Sequence, residues 1–115
     1  MKNTDIKPMV ITDNETGETY TLEFSRESVR FAEQRGFCIE ELTRYPETNI
    51  PALFFYAFRK NHANIPLSKA EKLFDKLGGL TTEELARLVD LYHLPSEALF
   101  ADEDTRKNGR MAVVL

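Results

Sequence analysis

Residues 52–58, "ALFFYAF", are seven apolar side chains in succession in a chain of 115 residues that is 30% charged. A helix that is apolar nearly all round must sit at the centre of a fold or against a partner. With Pro51 in the first helical turn, Ile50, Leu53, Phe54, Ala57 and Phe58 follow the i, i+3, i+4, i+7, i+8 spacing of one buried face. Phe55 and Tyr56 fall off that stripe. The two alanines, the preceding proline and the polar continuation "RKNH" favour a helix over a buried strand.

The rest of the chain has to cover this helix. "PMVITDNETGETYTLEF" alternates like two strands around a turn, with Tyr20, Leu22 and Phe24 on one face and turn chemistry from Asp13 to Gly17. Ser25 caps a first helix, with Phe24 and Val29 placed as a hydrophobic staple, and Gly36 ends it near residue 35 with Phe37 folding back. "CIEELTRYP" reads as a short second helix stopped by Pro46. The aromatic helix is the third. Ser68 and Glu71 form a capping box for a fourth, ending at Gly78. Thr81 and Glu84 form another for a fifth, stapled by Leu80 and Leu85, with Leu85, Leu88, Val89 and Tyr92 facing inward until Pro95.

These elements predict one α+β domain over residues 1–115. A hairpin at 9–24 packs on about five short helices at 25–100, followed by a polar linker at 101–110. The apolar "MAVVL" of residues 111–115 is a third strand, paired with the hairpin of its own chain or with a neighbour's, because left free it would invite aggregation.

Little in the sequence carries chemistry. The lone Cys38 cannot form an internal disulfide, and its place beside Ile39 suggests packing. His62 and His93 are 31 positions apart, with no ligand at helical metal-site spacing. "DNETG" begins like a calcium loop, but its glycine comes one position early and no ligand glutamate follows. No nucleophile motif and no phosphate-binding glycine loop is present. The expectation is a protein that is not an enzyme and has no catalytic residue, metal or cofactor. The net charge of −4, the absence of a long apolar span and the lack of a secretory h-region point to a cytoplasmic protein with no membrane or nucleic-acid partner.

Binding remains. "LSKAEKLFDKLGGLTTEELARLVDLYHL" has the layout of a helix-turn-helix, with Lys69, Lys72 and Lys76 along its first helix. Yet Glu83 and Glu84 stand in the first turn of the second, where phosphates would have to sit. Charge is also split. Arg59 to Lys76 holds five basic and two acidic residues, whereas Thr81 to Asp104 holds seven acidic and one basic, an arrangement that permits head-to-tail association.

The order of elements resembles a known family. A hairpin ending in "YTLEF", a helix "SRESVRFAEQRG", a short "IEEL", an aromatic helix behind a proline and the closing pair "SKAEKLFDKLGGLTTEELARLVDLY" together look like the small tail assembly chaperones of long-tailed bacteriophages and prophages. The resemblance covers roughly residues 9–100. It implies a non-enzymatic protein that coats the long helical tape measure protein during tail morphogenesis and is absent from the finished virion. No functional residue carries over by motif. A client of that kind needs apolar surface that accepts amphipathic helices, and Phe55 and Tyr56, with Phe58 at the margin, are the candidate partner-binding residues. A small nucleic-acid-binding phage protein and a structural tail component are the competing expectations.

Overall fold

A computed structural model describes residues 6–100 and 111–115; the expected linker at 101–110 lies outside the described residues. The chain is α+β. Strands β1 (Met9–Thr12) and β2 (Thr19–Leu22) form an antiparallel hairpin, and four helices follow: α1 (Arg26–Gln34), α2 (Pro46–Tyr56), α3 (Leu67–Leu77) and α4 (Thr82–His93). Short 3-10 segments occupy Ile39–Glu41, a single turn, and Leu94–Leu99, two turns.

Local signals set most of the helix ends. At the start of α1 the Ser28 amide donates to Ser25 Oγ (3.1 Å), and the Ser25 amide donates to Ser28 Oγ (2.8 Å). This capping box therefore uses a serine where a glutamate is usual, and Ser28 is buried within it. At the other end Gly36, with φ 89°, lets the Phe37 amide reach back to the Ala32 carbonyl (3.0 Å) and delivers Phe37 to the core. Thr81 and Glu84 make the expected reciprocal box on α4.

Three expectations are corrected. The helix expected from "CIEELTRYP" is a single 3-10 turn, and Pro46 opens α2 rather than stopping a helix, since its missing N–H costs nothing at the first helical position. Pro51 consequently lies inside α2. The hydrogen bond it forfeits is to the carbonyl of Glu47, on the exposed first turn, where water can replace it. The capping box of Ser68 and Glu71 does not form, because the extended backbone of Pro66 (φ −74°, ψ 150°) already starts α3 at Leu67. The third concerns the pairing of residues 111–115 within the chain: among the described residues they carry no strand and do not pair with their own hairpin, and the sheet described has two strands.

The aromatic helix is the middle of the molecule. α2 packs on α1, α3 and α4, and Leu53, Phe54, Ala57 and Phe58 are all buried in one contiguous core with Leu22, Phe24, Ala32, Leu73, Leu88 and Tyr92. The edge-on rings of Phe54, Phe58 and Tyr20 lie 5.1–5.6 Å apart, a favoured aromatic geometry.

The end of α2 also closes one side of the hairpin. The Glu23 amide donates to the Ala57 carbonyl (3.1 Å), the Thr21 amide donates to His62 Nε2 (3.0 Å), and Asn61 Nδ2 donates to the Thr21 carbonyl (3.2 Å). The outward backbone groups of Thr21, and the amide of Glu23 just after β2, are thus met by the chain leaving α2, where a neighbouring strand would otherwise bind. His62 has a part in the fold: its Nε2 accepts this backbone hydrogen bond while its ring packs at an angle on Tyr20. His62→Ala is expected to cost about 1–3 kcal/mol in urea denaturation, the penalty for stranding a part-buried amide. A loss under about 0.3 kcal/mol would mean that water satisfies Thr21 equally well.

Candidate functional site

α2 packs on α3, which adds Ala70 and Leu73 to the core. Between them lies a groove of about 670 Å³ lined by Pro51, Ala52, Phe54, Phe55, Leu67 and Phe74 among others, with Glu47, Glu71 and Asp75 and the opposing Arg35 among its charged groups. Phe55 and Tyr56 both line it and are half-buried; Leu67, at the first position of α3, is 53% exposed. Phe58 is not at the margin of this surface. It is fully buried, because i+4 from Phe54 places it on the inward stripe and the turn after α2 covers it.

Tyr56 is held in place by an aromatic cluster, edge-on to Phe37 (5.6 Å) and Phe31 (6.1 Å), with Phe55 tilted against it at 5.5 Å. Phe31 in turn lies under two guanidinium groups, Arg59 at 3.5 Å and Arg35 at 3.7 Å from its centroid. Arg59 also pairs with Glu27 at 3.0 Å. Cation–π stacking thus fixes the wall behind Tyr56, leaving Phe55 as the more adaptable of the two candidate rings.

Leu67 and Phe74 belong to the groove and were not among the expected site residues. Their signal was present: Leu67, Ala70 and Phe74 recur at i, i+3, i+7 on α3, and a helix stripe of that kind faces something apolar. A second apolar hollow of about 450 Å³ lies between the Ile39–Glu41 turn and α4, lined by Ile39, Leu42, Leu85 and Val89. Leu85 and Val89 were expected on the inward face of α4, but Leu88, Leu91 and Tyr92 are its buried residues and the other two are half-buried at this hollow.

The lysine stripe of α3 is engaged within the chain. Lys69 pairs with Glu18 (3.4 Å), and Lys76 pairs with Asp13 (2.9 Å) and Glu15 (3.6 Å), both across to the hairpin. The Lys76 ammonium, through its hydrogen bond, holds the Asp13 carboxyl below its ordinary range. With Lys60 on Glu23 and Arg59 on Glu27, four of the five basic residues between Arg59 and Lys76 are neutralised locally.

The remaining chemical groups do not converge. Cys38 is exposed, not packed, because the 3-10 turn that replaces the expected helix leaves it outside the core; its thiol donates to Glu40 Oε2 (3.2 Å). Among the described residues no three histidines, cysteines or carboxylates come together in a metal-binding group. No helix among them is long and apolar enough to cross a membrane. Burial, reinforced by the carboxylates of Glu33 and Glu40, pushes Tyr92 up to about 12 from its ordinary 10. Between those values the folded state holds a proton that the unfolded chain releases, so stability should fall as pH rises from about 10 to about 12. Ultraviolet titration is expected to show one of the four tyrosines ionising late, and Tyr92→Phe should remove that step.

The model of a family described as "Domain of unknown function (DUF5055)" matches residues 1–115. No curated protein and no solved structure matches the chain.

Proposed function

Given that the chain belongs to the DUF5055 family, whose description names no activity, we propose that it is a non-enzymatic assembly chaperone. On this reading it holds amphipathic helical segments of a long client in the groove between α2 and α3. The observation that carries this is the groove itself: an open channel walled by two helices, apolar along Pro51, Ala52, Phe54, Phe55 and Phe74, with Leu67 exposed and Phe55 half-buried along it. A third helix laid between two others is a standard way to bury an apolar stripe. Aromatic walls tolerate varied sequences, which suits a client with many similar stripes.

The resemblance in element order to phage tail assembly chaperones supplies the client's class, a long helical tape measure protein. It also supplies the setting, the cytoplasm of a bacterial host before the particle is finished. A nucleic-acid role has less support, since Lys69 and Lys76 are already paired with hairpin carboxylates. A structural tail component would keep its groove filled in the particle.

Affinity purification from cells expressing the native operon tests the proposal. Recovery of one very long helical protein, lost when Leu67 is replaced by glutamate, is the expected result. Recovery of nucleic acid, persistence of the protein in purified particles, or capture that the Leu67 change does not affect would each overturn it.

A further inference from the structure

The two edges of the hairpin are not equivalent. In the ladder the Asp13 amide donates to the Glu18 carbonyl (2.8 Å), and the register pairs Ile11 with Tyr20 and Met9 with Leu22. Antiparallel alternation then makes these the mutually hydrogen-bonded pairs and turns the N–H and C=O groups of Val10 and Thr12 outward. On the opposite edge the outward groups of Thr21 and the amide of Glu23 are taken by His62, Asn61 and Ala57. Among the described residues no hydrogen bond reaches the backbone of Val10 or Thr12 from outside the hairpin. Val10 is also 61% exposed.

Beside this edge lies a hollow of about 250 Å³. Its walls are Ile11, Thr12 and the hairpin turn on one side and Leu73, Lys76 and Leu77 on the other, with no residue of β2. An unpaired strand edge next to a hollow with apolar walls at Ile11, Leu73 and Leu77 is a template for one more strand. The chain carries a segment of matching chemistry: Met111–Leu115 is apolar throughout, has two adjacent β-branched valines and no charged side chain, and lies exposed with no strand paired to it among the described residues. Its five residues suffice to span the four of β1.

We propose that the open edge of β1 accepts Met111–Leu115 of a second copy of this chain as a third strand. Added there, the segment satisfies the outward groups of Val10 and Thr12. Strand alternation then sets Met111, Val113 and Leu115 on one face and Ala112 and Val114 on the other. With the larger set turned inward, it fills the hollow against Leu73 and Leu77, and the smaller set lies beside Val10. The occupant is a second copy, since among the described residues the segment forms no strand with its own chain's β1. This inference concerns a different surface from the α2–α3 groove and does not depend on the chaperone reading.

Two variants separate donor from acceptor. Val10→Pro removes an outward N–H that the hairpin ladder does not use, so it blocks the edge and keeps the segment. Deleting residues 111–115 keeps the edge and removes the segment. Circular dichroism establishes that each variant folds, and where Val10→Pro does not, Thr12→Pro serves as the second edge block. By light scattering the full chain is expected to self-associate, each variant alone to be a monomer, and an equimolar mixture to form a complex of twice the monomer mass. A full chain that stays monomeric at high concentration would overturn the proposal, as would self-association that survives the deletion or a mixture that stays monomeric. A monomer in which residues 111–115 are protected from hydrogen exchange would show that the strand pairs within its own chain, and would overturn it equally.

Discussion

Phe58→Ala is expected to lower the stability of this protein by about 3–5 kcal/mol, the usual range for deleting a fully buried phenylalanine. Its ring has no exposed surface and lies edge-on to Phe54 (5.1 Å), Tyr20 (5.6 Å) and His62 (6.1 Å). It therefore joins α2, the hairpin and the segment after α2, and no single element can shift to fill the space it leaves. A domain of this size has only about 5–15 kcal/mol in total, so the variant should sit near the edge of folding. Urea denaturation should show the midpoint collapsing, whereas Tyr45→Ala, at a 55% exposed position, should move it by less than about 0.5 kcal/mol. A loss below about 1 kcal/mol for Phe58→Ala would contradict its place in the core.

Leu67→Glu is expected to weaken binding of an amphipathic helical peptide by about tenfold or more while leaving the fold intact. Full burial of a leucine contributes about 1.5–3 kcal/mol, and the change removes that contact from the groove mouth. It also sets a carboxylate beside Glu71 and Asp75, where an apolar stripe would have to lie. The fold should tolerate it because Leu67 is half exposed and opens α3, and a negative charge near a helix N-terminus is favourable. Phe55→Ala should act in the same direction with a smaller effect, since the half-buried ring rests partly on Tyr56. Fluorescence anisotropy with a labelled peptide reads both variants. Unchanged affinity in Leu67→Glu, with the fold intact by circular dichroism, would remove the groove from consideration.

What could be read in advance was what neighbours along the chain decide. The hairpin turn from Asp13 to Gly17, the caps at Ser25 and Thr81 and the glycine stop at Gly36 depend on residues within about four positions, and all are present. The misreadings came where two local signals compete. Pro46 and Pro51 can each open a helix, and the choice goes to Pro46, with Asn49 Nδ2 donating to the Glu41 carbonyl (2.8 Å) to hold the start of α2 against the 3-10 turn. Ser68 with Glu71 was an acceptable box, overridden by a proline two positions earlier. The candidate site was legible by half. Phe55 and Tyr56 stood out by departing from the buried stripe, but Leu67 and Phe74 join them only through the packing of α3 on α2, which no local pattern encodes. The role of His62 was invisible for the same reason: its partner is 41 residues away.

The closed side of the hairpin sets a limit on how far copies of this chain can stack. Cross-β growth needs every added molecule to offer two usable strand edges, one to dock and one to receive the next. Here the second edge ends in an imidazole, a carboxamide and a main-chain carbonyl in place of a free ladder. Any sheet extended through β1 therefore has a closed end at β2, where Thr21 and Glu23 cannot receive a further strand. Strand addition is confined to the β1 side for as long as His62 and Asn61 stay where they are.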